Sequence, residues 1–268
     1  MPFAPAPLPR LQHRLPWVRA RSAASMAPLA AAWLAATLGL AGPAHAANTT
    51  KAANTTKATN AARAASPPRP PVPMRLPAGV VPQAVRLHLQ VDPDQPRHQG
   101  EVEIQLLLQQ PVPAGGAIRL HAKALQLQTI WLETGAKRWR GRAVQVDPER
   151  VDLHFGQPLP AGAAVLQIGF AGAIADRDVY GLFRQQEAGH WAAFSQFQAT
   201  GARQAFPLFD EPGWKIPWTL SLTVPQALVA VSNMPVVAEE AARPGFKRVS
   251  FQPTPPMPSY LLAFGVGR

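Results

Sequence analysis

The sequence predicts an all-β domain, an antiparallel β-sandwich, preceded by a signal peptide and a disordered linker. From Gln83 onward, short runs alternate between apolar and polar residues, and Pro, Gly or Asp separate them. No interval between these runs has the periodicity of an amphipathic helix, and the first 78 residues show neither pattern. We therefore divide the chain into a signal peptide at 1–46, a linker at 47–78 and a β-domain at 79–268.

The amino-terminal segment has the pattern of a secretory signal peptide. Arginines precede an apolar run at 27–40, and Ala44-His45-Ala46 follows as a small-residue cleavage pattern. We expect cleavage after Ala46 and export to the periplasm, or out of the cell, of a bacterium. Translation could begin at Met1 or Met26, and the basic residues favour Met1. The apolar run is too short and too rich in alanine to be a permanent membrane span, and we expect no stable span once the signal peptide has been cleaved.

The linker is predicted from its composition. Residues 48–53 are nearly repeated at 54–59, and the proline-rich stretch 66–71 follows. Such a segment has almost no apolar surface to bury, so ordering it would cost more conformational entropy than contacts could offset. We expect a flexible tether that ends in a stiffer polyproline stretch.

The charge of the chain lies mainly outside the β-domain. The formal net charge is +11, but residues 1–78 carry nine of the 26 Lys and Arg residues and none of the 15 Asp and Glu residues. Residues 79–268 are therefore nearly neutral, which argues against a nucleic-acid partner. One basic cluster remains at 137–142; it could meet phosphate or an acidic surface, but we interpret it as a solvated hairpin tip.

The predicted strands carry one apolar and one polar face. Clear period-two runs lie at 85–91, 102–106, 125–130, 151–155, 165–170 and 220–224. This pattern is typical of strands with one side on a core and the other toward water. His88, His121 and His154 fall within or next to such runs, and we expect them on solvated faces rather than in a metal site.

Several segments resemble a known family in order along the chain. Residues 195–215 read SQFQATGARQAFPLFDEPGWK and resemble the Q-x-[EQ]-x-x-x-x-[AR]-R-x-x-F-P-x-x-D-E-P-x-x-K signature of the aminopeptidase N family of zinc metallopeptidases. Its usual flanks are matched at 118–122 (IRLHA), 180–183 (YGLF), 231–235 (VSNMP) and 256–264 (PMPSYLLAF). The resemblance covers roughly residues 82–268.

The resemblance implies a saddle-shaped β-sandwich that packs against a zinc-binding catalytic domain. In the family, the second residue of the Q-x-[EQ] pair contacts the free α-amino group of a peptide substrate, and Gln198 stands at that position. Its carbonyl oxygen can accept a hydrogen bond from an ammonium but lacks the charge of a glutamate. Gln196 is expected to flank the same pocket. Without the resemblance, both would be ordinary polar residues on a strand.

Asp210 and Glu211 invite an acid–base interpretation that we do not favour. Neighbouring side chains rarely converge on one point, and Pro212 restricts the backbone beside them. We expect a structural role, in which they accept hydrogen bonds from turn amides or pair with Arg203 or Lys215.

The chemistry of the family requires groups that this sequence does not contain. No H-E-x-x-H motif occurs, and the absence of cysteine excludes thiolate ligands, so we assign no catalytic or metal-binding residue here. We expect zinc in a missing catalytic domain, no activity from this chain alone, and an apolar side left exposed to water. The alternative is a non-catalytic secreted β-sandwich module that binds a peptide or protein partner.

Overall fold

The computed structural model describes residues 75–268, and the signal peptide and most of the linker lie outside that range. Strands dominate the described part, as the alternating runs predict. They are β1 (Val80–Gln90), β2 (Arg97–Leu108), β3 (Ile118–His121), β4 (Gln126–Thr134), β5 (Lys137–Arg140), β6 (Arg142–Asp147), β7 (Arg150–His154), β8 (Gly162–Ala173), β9 (Gly181–Glu187), β10 (His190–Gln196), β11 (Trp218–Pro225), β12 (Val229–Ser232), β13 (Val236–Arg243), β14 (Phe246–Phe251) and β15 (Phe264–Gly267). Two short helical turns, α1 (Ala202–Ala205) and the 3-10 turn Ser259–Leu261, complete the described elements.

The strands form three sheets around one hydrophobic core. The large sheet has eight strands in the order β13-β14-β11-β1-β2-β8-β4-β5, and the smaller sheets have the orders β12-β15-β10-β9 and β3-β7-β6. Buried residues of all three sheets belong to one apolar cluster. The predicted all-β sandwich is thus confirmed.

Alternation fixes which side of the large sheet meets the core. Along β2, exposed or half-buried residues alternate with buried ones from end to end. Val102, Ile104 and Leu106 are at most 1% exposed, whereas the residues between them turn away from the core. This is the pattern of a sheet with one face on a core and one face toward water.

One strand pair departs from the antiparallel prediction. β1 pairs with β11 in parallel, with Val85 opposite Trp218 and Gln90 opposite Thr223. A parallel neighbour requires a long crossover connection. β11 lies far along the chain from β1, and the strands between them belong partly to other sheets, so alternation within each run could not reveal this pairing.

The basic cluster is placed differently from the prediction. Lys137–Arg140 forms β5, the outer strand of the large sheet, and the turn precedes it at 135–136. Arg138 forms an ion pair with Glu133 and lies 4.4 Å from the ring centroid of Trp131. Charged side chains on an edge strand discourage pairing with another chain. The cluster is therefore solvated, as expected, but it is an edge strand rather than a hairpin tip.

Replacing Phe206 by alanine should destabilise the domain strongly. Phe206 is 0% exposed and packs edge-to-face against Phe197 and Trp218, so truncation removes apolar burial and leaves a cavity. We expect a loss of about 3–5 kcal/mol in the free energy of unfolding, measured by urea denaturation. Phe194→Ala is the matched control because Phe194 is 40% exposed, and equal losses in the two variants would contradict this account of the core.

Candidate functional site

The two glutamines named by the sequence lie at the exposed end of β10. Gln196 is the last residue of this strand, and Gln198 lies in the turn that follows; both are exposed. The Gln198 backbone N–H donates to the Gln196 side-chain oxygen at 3.3 Å. Gln198 is therefore not on the strand, where alternation without the resemblance would have placed it beside Gln196. The turn sets its side chain apart from the regular alternation of β10.

Buried aromatic rings anchor both ends of this turn. Phe197 is 1% exposed and stacks edge-to-face with Phe206 at a centroid distance of 5.6 Å. It also contacts Phe264 of β15 at 6.1 Å. The buried rings of Phe197 and Phe206 therefore fix the two ends of the loop between them.

A close approach of backbone keeps the loop compact. The Gly201 N–H donates to the Phe197 carbonyl at 2.8 Å, and a Cβ on Gly201 would lie 2.7 Å from the Gln196 carbonyl oxygen. No side chain fits at that distance. Tyr180 adds a further contact, because its hydroxyl accepts a hydrogen bond from the Thr200 N–H at 2.9 Å.

Behind the loop lies a buried ionic network centred on Arg203. Its Nε donates to Asp210 Oδ2 at 2.8 Å, and the guanidinium also donates to the Asp210 backbone carbonyl at 2.9 Å. The remaining nitrogen donates to Glu149 Oε2 at 2.8 Å. Ser259 donates its hydroxyl proton to the other Asp210 oxygen. The expected structural pairing of Asp210 with Arg203 is therefore present.

Glu211 and Lys215 behave differently from Asp210. Glu211 accepts a hydrogen bond from the Leu76 backbone N–H at 2.6 Å. The signature segment thereby contacts the chain just before β1. Among residues 75–268, no ion pair of Lys215 with either carboxylate is present. The acidic pair is structural here, without the convergent geometry that acid–base chemistry requires.

His121 completes this network, contrary to the expectation of a solvated face. The side chain is 2% exposed, and its Nδ1 accepts a hydrogen bond from the Asp210 N–H at 3.2 Å. Burial, together with the nearby positive charge of Arg203, lowers the pKa of His121 to about 4. Strand β3 carries His121 next to the signature segment through an isolated bridge to Leu208. Alternation alone could not predict the burial of His121, because the signature segment covers the side of β3 that would otherwise face water.

The other two histidines lie on half-buried positions. His88 contacts the Ser221 hydroxyl through Nδ1 at 2.8 Å, and burial, together with the positive charge of Arg248, lowers the pKa of His88 to about 4. His154 ends β7, also half-buried. Within residues 75–268, no cluster of three or more His, Cys, Asp or Glu side chains could bind a metal ion. The described residues therefore do not fit a zinc ion.

Two other motif segments hold one another beside the loop. The Asn233 side chain donates to the Leu261 carbonyl at 2.9 Å and accepts from the Ala263 N–H at 2.8 Å. Ser195 contacts both the N–H and the carbonyl of Phe264. The segments that the sequence analysis quoted separately are thus neighbours in space.

The four-stranded sheet exposes an apolar outer face next to the glutamines. Phe194, Gly265 and Val231 lie side by side across β10, β15 and β12. Val229 lies on the same face, and Phe194, Val229 and Val231 are 40%, 56% and 58% exposed. By alternation, Gln196 lies on the same face of β10 as Phe194. The apolar patch and Gln196 therefore lie on one face, which we call the outer face of the four-stranded sheet, and the turn that bears Gln198 follows at its end.

The chain folds as an all-β domain of three sheets around one core, and comparison with known proteins gives its family. Residues 81–261 match the family described as the Peptidase M1 N-terminal domain. The chain belongs to this family. No helix among the described residues has both the length and the apolar character that a bilayer crossing demands.

The relatives that this chain matches are longer proteins, and the matching region covers only part of each. Aminopeptidase N of Acetobacter pasteurianus is 33% identical over 197 residues, which cover 72% of this chain and 54% of that protein. Aminopeptidase M1-B of Oryza sativa subsp. japonica is 40% identical over 126 residues, covering 45% of this chain and 14% of the relative. The puromycin-sensitive aminopeptidase of Caenorhabditis elegans is 32% identical over 163 residues, covering 58% and 17%. The chain thus matches only a part of each relative's length.

Protonating His121 should destabilise the domain below pH 6.5. Because its folded-state pKa of about 4 lies under the ordinary value of 6.5, the unfolded chain binds more protons between these pH values. The stability that neutral His121 contributes is therefore complete above pH 6.5 and is lost as the pH falls toward 4. Urea denaturation at pH 7.5 and 4.5 measures the difference, and His121→Asn, which keeps an acceptor for the Asp210 N–H, should reduce it by on the order of 2 kcal/mol.

For each protein, the free energy of unfolding at pH 4.5 is subtracted from that at pH 7.5. The packing cost of the substitution is the same at both pH values and therefore cancels. His88 and His98, whose pKa values are also lowered, remain in both proteins and give the same background. An identical pH dependence with and without His121 would contradict the assignment.

Proposed function

We propose that residues 79–268 form one wall of the substrate cleft of a zinc-dependent aminopeptidase that removes amino-terminal residues from peptides. The observation that carries the proposal is the exposed, anchored loop that bears Gln198 beside an apolar sheet face. Membership of the M1 amino-terminal domain family supports an aminopeptidase role, and the names of the relatives support peptides as the substrates. Export to the periplasm or the medium belongs to the same proposal, on the strength of the leader pattern.

In this proposal Gln198 accepts a hydrogen bond from the substrate's α-ammonium group. Its side chain is exposed, and the buried phenylalanines on either side fix the loop that carries it. The side chain can therefore reach a substrate from a fixed backbone position. A neutral amide oxygen binds an ammonium more weakly than a carboxylate does. Gln196 accepts from the Gln198 backbone and so fixes the loop, and its role is positioning.

Zinc and the catalytic groups belong to a separate catalytic domain in this proposal. The described residues offer no ligand cluster, so no catalytic step is assigned to them. The outer face of the four-stranded sheet is the surface against which that domain would pack. Burying Phe194, Val229 and Val231 there would remove apolar surface from water, and exposed patches of this kind mark interaction sites.

The first test combines genomic sequence with kinetics. Reading the DNA past codon 268 in all three frames should reveal an H-E-x-x-H motif; its absence over several hundred codons would favour a non-catalytic binding module. In the protein that contains the motif, Gln198→Ala should raise KM for amino-acyl anilides about tenfold, since one hydrogen bond to a charged group is lost. Gln198→Glu should lower KM, because a full charge then meets the ammonium.

The controls separate amine recognition from general damage. Gln105→Ala changes an exposed glutamine on the opposite side of the sandwich and should leave KM unchanged. Unaltered kinetics in both Gln198 variants would show that Gln198 does not bind the substrate, even if an H-E-x-x-H motif is found.

Residues 79–268 produced alone should self-associate through the outer face of the four-stranded sheet. Val231→Glu places a charge on that face and should shift the protein toward monomer in sedimentation velocity at high concentration. Val237→Glu is the matched control, since Val237 is 62% exposed on β13 of the large sheet. A monomeric wild-type chain, or an equal effect of both substitutions, would count against this surface as a docking face.

A further inference from the structure

A groove of about 550 Å³ crosses the side of the large sheet that is turned away from the core. Two rows of side chains, defined by the strand registers, form it. The first row consists of Ser250, Ser221, His88, Glu101, Gly169 and Thr129. The second consists of Thr219, Arg86, Glu103, Gln167 and Trp131. This polar groove is remote from the glutamine loop in the fold, because it belongs to a different sheet and to the opposite face.

The strands beneath the polar groove have no free backbone groups to offer a ligand. β1, β2 and β8 each pair with a neighbour on both sides. An extended peptide therefore cannot add as a further strand there. The apolar residues that reach the groove, such as Leu87 and Ile168, are at most 2% exposed and point into the core. A ligand must consequently be bound by polar side chains, without apolar pockets for peptide side chains.

The charges along the polar groove are balanced. Arg86 pairs with Glu103 at 3.2 Å, and at one end Arg138 pairs with Glu133 at 3.0 Å. His88 is held between the hydroxyls of Ser221 and Thr223, where burial keeps its pKa low and the ring neutral. The groove thus lacks the excess positive charge that a polyanion such as a nucleic acid requires.

Unpaired hydrogen-bonding groups remain along the floor and rim. Within residues 75–268, the side chains of Glu101, Thr219 and Ser250 have no hydrogen-bond partner among the described contacts. At Gly169 the Thr129 hydroxyl fills the space where a side chain would stand, since a Cβ there would lie 2.5 Å from Thr129 Oγ1, and Thr129 therefore forms the floor at this point. Carboxylate, amide and hydroxyl groups therefore line an open channel in which each can still form hydrogen bonds.

A flat indole closes one end of the channel. Trp131 lines the groove, and the stacked Arg138 guanidinium, 4.4 Å from its ring centroid, restrains its orientation. Arg138 also donates to Gln167 Oε1 at 3.3 Å, so the guanidinium stacks on one face of the indole and is held there by the neighbouring amide. This arrangement combines an apolar ring surface with hydrogen-bonding edges.

We propose that the polar groove binds a neutral oligosaccharide, with the face of Trp131 opposite Arg138 against the C–H surface of one sugar ring and Glu101 and Gln167 bound to sugar hydroxyls. A sugar chain presents the two features for which the groove is built: closely spaced hydroxyls, each a donor and an acceptor, and weakly polar ring faces. A charged polymer would meet paired charges, and a peptide would meet neither free backbone nor apolar pockets. The inference is independent of the proposed peptidase role.

Calorimetric titration of the 268-residue chain tests the proposal. The probes are cellohexaose, maltohexaose, mannohexaose and chitohexaose, with dextran sulfate and an uncharged hexapeptide as the competing ligand classes. At least one neutral hexasaccharide should bind saturably. Trp131→Ala and Glu101→Gln should each weaken that binding about tenfold, the effect of losing one ring contact or one charge-assisted hydrogen bond.

Trp191→Ala provides the matched control. Trp191 also carries a stacked arginine, Arg184 at 4.3 Å from its ring centroid, but it lies on β10 outside the groove. Its variant should bind the sugar as the wild type does. Glu101→Gln changes one exposed side chain and retains its shape, so it reports on binding even if Trp131→Ala unfolds the protein. Absence of saturable binding to all four hexasaccharides, binding of dextran sulfate or the hexapeptide only, or an equal loss in Trp191→Ala would each overturn the proposal.

Discussion

The buried ion pair between Arg203 and Asp210 is the interaction on which the rest of the site depends. It joins the short helix α1 to the end of the signature segment, and Glu149 and Ser259 extend it to two other parts of the chain. Burying charges is costly unless each one is paired, and removing one partner of such a pair costs on the order of 3–5 kcal/mol. The turn that bears Gln198 runs directly into α1, so the pairing of Arg203 fixes the end of that turn.

Much of the fold follows from local sequence patterns. Alternation along β2 and the first half of β8 predicts which residues are buried, although five consecutive residues at 168–172 are buried, and the prolines and glycines between runs predict where strands end. The parallel pairing of β1 with β11 could not be predicted in this way, since it depends on contacts between distant segments. The basic strand β5 was misplaced for a related reason: four charged or aromatic residues give no period-two signal.

The site was predicted less completely than the fold. The family signature led to Gln196, Gln198 and the structural role of Asp210, but it did not reveal that Gln198 has left the strand. His121 was placed in water because its neighbours alternate, whereas the structure buries it beneath the signature segment. Its occurrence inside the I-x-L-H-A segment was the available signal, since a histidine in a motif is more informative than one in an isolated run.

Strand β15 shapes the surface that the four-stranded sheet offers to a partner. Gly265 and Gly267 stand where their neighbours on β10 and β12 carry phenylalanine, alanine and valine, so the middle of the sheet is lower than its two sides. Phe194 and Val231 lean toward this line, because a carbon of each side chain lies 3.5 Å from the position of a Gly265 Cβ, and Gly265 itself is buried. A partner that lies on the sheet therefore meets these two side chains rather than the β15 backbone, and its own surface has to follow their contour.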